Sequence, residues 1–150
     1  MEIKKVGPQE KGQELFDIDN AAFIRDFDLK ARSIQEEVNY VKRSEVYVAY
    51  EDNKAIGFIA YENKKDFVEI MSVAVIPEQQ KKGVAQKLFH EILPKIRGRE
   101  IRLVTHPKNT PAIILYLKYG FEIYGWKDNY FGDGEPRLLL ERNTHRKKMK

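Results

Sequence analysis

At 150 residues, with 42% hydrophobic and 33% charged side chains, the chain has the size and composition of one globular domain, well clear of disordered sequences. It has no cysteine, which excludes disulfides, thiolate metal sites and a cysteine nucleophile, and the cytosol is the expected compartment. The net charge is +4, but Arg142, Arg146, Lys147, Lys148 and Lys150 lie at the very end, and without those five charges the rest carries −1. The basicity therefore belongs to a tail, expected over residues 143–150 after a domain at 1–142, and not to a nucleic-acid-binding face.

Glu2 to Val6 alternates as a strand, and Gly7-Pro8 ends it before Leu15, Phe16, Ile18, Ala22 and Phe23 recur at helical spacing. Ser33 to Lys42 reads as a second helix, with Ser33 as N-cap and Glu36 completing a capping box. Val46–Tyr50 and Ala55–Tyr61, rich in β-branched and aromatic residues, flank the turn Glu51-Asp52-Asn53-Lys54 and predict a hairpin. A third strand is expected at Phe67–Ile76; its run Val73-Ala74-Val75-Ile76 lacks alternation, as in a strand at the centre of a sheet. After the polar stretch from Glu78 to Gly83, Val84, Leu88, Ile92 and Ile96 form one helical stripe, with Pro94 placed to bend its last turn. Ile101–Thr105 is a strand, and Thr110–Tyr119 is a helix with Pro111 suited to its first turn and Gly120 to its end. Phe121–Trp126 and Arg137–Glu141 are the last strands. The alternation of strands and helices defines an α/β protein with a mixed sheet. No run approaches the roughly 18 apolar residues of a membrane span, and the first residues carry no apolar stretch behind their charges.

Gln80-Lys81-Lys82-Gly83-Val84-Ala85 falls between a buried strand and a helix start, where main-chain N–H groups have no intrahelical partner. The glycine permits close approach of a ligand, and the positive end of the helix favours a diphosphate, to which Lys81 and Lys82 add field. Taken alone, a polar loop with one glycine reads sooner as a plain connector. The stretch Val73 to Leu88 is, however, similar to the acetyl-CoA-binding segment of the GNAT acetyltransferase family, reading Gln-x-x-Gly-x-Ala at its centre. Downstream, Asn109-Thr110-Pro111-Ala112-Ile113-Ile114-Leu115-Tyr116-Leu117-Lys118-Tyr119-Gly120-Phe121 resembles the family's Asn-x-x-Ala-x-x-Leu-Tyr-x-x-x-Gly-Phe pattern.

The resemblance implies a GNAT-like fold: a central, mixed, largely antiparallel sheet of six to seven strands flanked by four helices and splayed at the acetyl-CoA site. It implies that Val73 and Val75 lend backbone groups to the pantetheine arm. Gln80, Lys81, Lys82, Gly83, Val84 and Ala85 would surround the diphosphate, and Asn109 would hydrogen-bond the cofactor. Acetyl-CoA is thus the expected cosubstrate, and a primary amine the acceptor, attacking directly in a ternary complex. Dimers are frequent in the family.

Two residues are candidates for moving protons. An amine attacks a thioester only when neutral, and a lysine-like amine of pKa ~10.4 is almost wholly protonated at neutral pH, so a base or a water chain to one is useful. Glu69 is a carboxylate on an otherwise apolar strand, where burial would raise its pKa, and its offset of eleven residues before Gln80 is similar to that of the general base in the family's histone-modifying branch. A solvent-facing strand-end glutamate is the equal alternative. Tyr116 stands where the family commonly has a tyrosine that protonates the departing thiolate, and a free phenol of pKa ~10 is close to a thiol; outside the motif it would read as a core aromatic. His106, just after a strand and three residues before Asn109, reads as a solvated loop residue, with an accessory role at the cleft as the alternative. His90, His106 and His145 lack ligand spacing, so no metal is expected.

The loop from Lys127 to Pro136 resembles the Tyr-Tyr-x-x-Gly-Glu-like loop of protein N-terminal acetyltransferases, with Tyr130 and Phe131 in place of two substrate-clamping tyrosines, so one hydroxyl is missing. A Gly-rich turn joining two strands is the simpler reading. The acceptor implied is a protein α-amine; a small-molecule amine or a lysine side chain is the alternative. Asp17, Asp19, Asp26, Asp28, Glu36 and Glu37 crowd the early helices, as a cationic substrate or a solvated face would require. A CoA-binding regulatory domain without turnover is the competing non-enzymatic class.

Overall fold

The computed structural model describes residues 1–24 and 33–143, with side chains of Phe23 and Ile24 excepted. Asp26, Asp28 and the basic tail from Thr144 onward lie outside the described residues. Seven strands follow the order β1-β2-β3-β4-β5-β7-β6, with four α-helices among the described residues. Two compact units divide the chain: Met1–Glu62 with Met71–Lys95, and Asn63–Ile70 with Ile96–Lys150.

In the first unit, β1 (Glu2–Val6) pairs antiparallel with β2 (Glu45–Glu51), and β2 with β3 (Lys54–Asn63). Asp52 and Asn53 both take positive φ, 51° and 66°. Short side chains that bond their own backbone tolerate that geometry, and it matches the right-handed twist of a two-residue hairpin. Helix α1 (Gly12–Asp19) buries Leu15 and Ile18 and runs into a π-helical turn at Asn20–Ile24. Helix α2 (Ile34–Val41) opens on the expected capping box: the Glu36 N–H donates to Ser33 Oγ at 3.1 Å, and the Ser33 N–H donates to Glu36 Oε1 at 3.0 Å. Helix α3 (Val84–Ile92) buries Val84, Leu88, Phe89 and Ile92. Leu93–Ile96 then tightens into a 3-10 turn, because Pro94 has no N–H to continue the α-helical ladder.

Strand β4 (Val68–Val75) is the fourth in the sheet. Its register with β5 (Ile101–Thr105) is parallel and runs over Val68–Ile70; Val73 and Val75 follow on the same strand. In the second unit β5 pairs antiparallel with β7 (Arg137–Arg142), and β7 with β6 (Glu122–Lys127). Helix α4 (Thr110–Lys118) carries Pro111 in its first turn, and Gly120 at φ 90° ends it, as only a residue without Cβ does cheaply. Ile70, Ile101, Leu103, Tyr116, Phe121 and Leu140 form this unit's buried core. No helix among the described residues is long and apolar enough to cross a membrane.

Candidate active site

The turn between β4 and α3 is built by local hydrogen bonds. The Ile76 N–H donates to the Ile56 carbonyl at 2.9 Å, Pro77–Gln79 forms a 3-10 turn, and Gln80 Nε2 donates to the Val75 carbonyl at 3.0 Å. Gln80 thus ties the turn back to the strand. The Val75 carbonyl, expected to serve a cofactor, already accepts this bond. Lys81 at φ 66° and Gly83 at φ 82° both adopt left-handed backbone. For glycine this costs little, whereas a lysine there stores strain, a signal the sequence did not carry.

Gly83 is the N-cap of α3, and its carbonyl accepts the Lys87 N–H at 3.1 Å. No side chain caps this end, and the first amides of a helix have no partner within the helix ladder. A Cβ built on Gly83 would meet only Gln86 Oε1, at 3.8 Å, so the space above it is open. Lys81 and Lys82 are exposed beside it. The helix start is seated by Gly57: a Cβ there would come within 2.9 Å of the Ala74 carbonyl oxygen and 3.2 Å of Val84 Cγ1. Main-chain amides, positive helix end and flanking ammonium groups together form an anion cradle suited to a diphosphate.

In the second unit, Asn109 is the N-cap of α4, its Oδ1 accepting the Ala112 N–H at 3.4 Å. Its side-chain oxygen serves the helix. Tyr116 is buried, 6% exposed, with its ring 5.9 Å from that of Phe121. Burial pushes its phenol well above the usual value of 10.0, since a phenolate there would lose its solvation. The expected match to a thiol pKa is therefore not met, and the hydroxyl keeps its proton.

Glu69 falls between the buried and the solvent-facing readings. Its side chain is 19% exposed and pairs with Lys64 Nζ at 3.0 Å. Tyr130 lies close enough to feel it: burial first, then the Glu69 charge, raises the Tyr130 phenol above its usual value. The structure thus brings together Glu69 and Tyr130, 61 residues apart in sequence. Phe131 packs edge-on to Tyr130 at 4.7 Å and is 41% exposed.

The loop carrying them is held from within. Asn129 Oδ1 accepts the Gly134 N–H at 2.7 Å, Asp133 Oδ1 accepts the Glu135 N–H at 2.9 Å, and Arg137 Nη2 donates to Asp133 Oδ2 at 2.8 Å. Burial opposes the Asp133 charge, but the Glu135 amide and the Arg137 guanidinium prevail and hold its carboxyl below the usual range. His106 corrects the expectation of a solvated residue. It is 6% exposed; Nε2 lies 2.8 Å from Glu135 Oε1, and Nδ1 accepts the Lys108 N–H at 3.1 Å. The accepting Nδ1 fixes the tautomer, so Nε2–H donates to Glu135. The sequence hid this pair because its members are 29 residues apart. Among the described residues, no group of three or more His, Cys, Asp or Glu could hold a metal.

The ribosomal-protein-S18-alanine N-acetyltransferase of Escherichia coli superposes with a TM-score of 0.78 over 94% of this chain and 92% of its own, at 18% identity, so the two share a fold. In sequence, UPF0157 protein YqkA of Bacillus subtilis is 33% identical over 60% of this chain, which spans only 27% of that protein's length. An N-alpha-acetyltransferase of Sulfurisphaera tokodaii is 26% identical over 69% of this chain and 72% of its own. The profile of the acetyltransferase (GNAT) domain matches residues 42–123, more than half of the sequence, and the chain belongs to the GNAT acetyltransferase family.

Proposed function

We propose that the protein is an N-acetyltransferase that moves the acetyl group of acetyl-CoA to a primary amine by direct attack, the acceptor being a protein N-terminal α-amine. The observation that carries the reading is the uncapped start of α3, with left-handed Gly83 and open space above it. Family membership supports the donor. The α-amine acceptor is supported by the names of the Sulfurisphaera and Escherichia coli relatives and by the Tyr130-Phe131 loop. The absence of cysteine accords with a cytosolic enzyme.

In this reading the main chain of Gln80 to Ala85 binds the diphosphate, and Lys81 and Lys82 screen its charge. Val73 and Val75 align the pantetheine arm, and Asn109 borders it. The amine nitrogen bonds to the thioester carbonyl carbon, the C–S bond breaks, the nitrogen gives up a proton and the thiolate gains one. An α-amine of pKa ~7.7–8.0 is partly neutral at physiological pH, so the demand on Glu69 or a water chain ending there is small. Tyr116 keeps its proton and donates a hydrogen bond to the sulfur, while the proton that the nitrogen releases passes by way of water to the thiolate. Tyr130 and Phe131 grip the first residues of the acceptor.

A second reading, a small cationic acceptor, is favoured by a cavity of about 430 Å³ beside α1, lined by Glu14, Asp17 and Glu78 together with Lys54. One experiment tests both: calorimetry with acetyl-CoA, then acetyl-CoA consumption across N-terminal peptides, lysine peptides and polyamines. The wild type should bind acetyl-CoA and turn over the N-terminal peptides fastest. Gly83→Val, forced into left-handed backbone with a branched Cβ, should weaken binding about tenfold or more. No heat from the wild type at millimolar acetyl-CoA would sink the enzyme reading; a polyamine winner would replace only the acceptor.

A further inference from the structure

Around the Tyr130–Phe131 pair of the second unit, the carboxylates are already engaged. Glu69 pairs with Lys64 at 3.0 Å, Asp133 pairs with Arg137 at 2.8 Å, and Glu135 accepts the His106 N–H at 2.8 Å. Asp128 Oδ1 accepts the Trp126 indole N–H at 2.9 Å. Trp126 and Lys127 are neighbours on β6 and so project to opposite faces, which leaves Asp128 with the former and away from the latter. Lys127 is the exception. It is exposed, its ammonium lies over the Tyr130 ring at 5.5 Å from the centroid, and among the described residues it has no carboxylate partner.

The residue opposite Lys127 in the β6–β7 ladder is Arg137. Like charges facing each other across two strands are unfavourable, and the Arg137 guanidinium is directed to Asp133 and to the Glu135 and Pro136 carbonyls. Cross-strand pairing therefore does not explain a cation at this position; a glutamate would suit the ladder better. An exposed ammonium resting on an aromatic face is weakly held, and its flexible four-carbon stem lets it swing to an anion. An extended peptide advances about 3.3 Å per residue, so one whose first residue lies against Tyr130 brings its second or third side chain within reach of that ammonium. We propose that Lys127 selects acceptor peptides carrying Asp or Glu at the second or third position. The inference rests on the α-amine reading of the function and adds to it the charge of the preferred acceptor.

The test is acetyl-CoA consumption on N-terminal peptides that share their first residue and carry Asp or Glu, Asn or Gln, or Lys at the second or third. The wild type should favour the acidic peptides over the neutral ones by about threefold in kcat/KM, through KM, and added salt should shrink the preference, as for any exposed ion pair. Lys127→Arg should keep it, Lys127→Gln should abolish it, and Lys127→Glu should transfer it to the lysine peptides. A residue that merely stiffens the loop would, when replaced, lower turnover of all the peptides alike and reverse nothing. That result, or a wild type that acetylates neutral peptides and is indifferent to charge, overturns the inference and leaves the acetyltransferase reading standing. Bound acetyl-CoA without turnover of any N-terminal peptide overturns both the α-amine acceptor and this selectivity.

Discussion

Tyr116 illustrates how one side chain's surroundings change what it can do. A phenol in water has a pKa close to that of a thiol, but burial in the second unit's core lifts this one well above it, so complete transfer of its proton to a thiolate is uphill. In the proposed reaction it would serve as a hydrogen-bond donor that keeps its proton. Tyr116→Phe should therefore lower kcat more than about tenfold while changing acetyl-CoA affinity less than about twofold, read by steady-state kinetics and calorimetry. The sign of the pH effect follows: because the folded-state pKa is raised, the hydroxyl stays protonated through the mildly alkaline range, and its contribution to kcat should not decline near pH 10. Loss of activity with an apparent pKa near that of free tyrosine, absent in Tyr116→Phe, would contradict the assignment. Glu69 shows the reverse lesson, since a carboxylate on an apolar strand meets its partner, Lys64, from the loop just before it.

Among the elements, the loop between β6 and β7 is ordered by a distant contact as well as by its own bonds. Its internal bonds shape the turn, but the His106–Glu135 bond ties it to the end of β5. Because both imidazole nitrogens are engaged, the role that the proposed function leaves to His106 is to position the loop through Glu135. His106→Ala and Glu135→Ala should each raise the acceptor KM severalfold at nearly constant acetyl-CoA affinity, and the double variant should be little worse than either alone. Additive effects, or a fall in stability without a change in KM, would show that the bond merely packs the loop. Helix starts were partly legible in advance: Ser33 and Glu36 close a capping box through bonds that span three residues, and Pro111 marks the first turn of α4, whereas the Asn109 side chain, expected on the cofactor, caps that helix instead.

For the molecule as a whole, buried and half-buried phenols should set the alkaline limit of stability. Burial, reinforced by the Glu14 contact, pushes Tyr50 up to about 12; burial and the nearby Tyr47 and Glu45 push Tyr61 to about 12; burial raises Tyr116 further. Folded-state values above the unfolded value of ~10 mean that this stabilisation is complete below pH ~10 and is lost as pH climbs toward ~12. Urea midpoints should be flat from about pH 8 to about pH 10 and fall beyond it, with phenolate absorbance rising on unfolding; a midpoint unchanged through pH ~12 would refute this. By itself the sequence determined the strand and helix order, the caps, the hairpin and the Gly83 helix start, because periodicity and short-range hydrogen bonding act over a few neighbouring residues. Only tertiary structure decided that His106 is buried against Glu135, that Glu69 lies near Tyr130 and that the Tyr116 phenol is desolvated. Those properties depend on which distant segments exclude water from a side chain, and no local pattern encodes that exclusion.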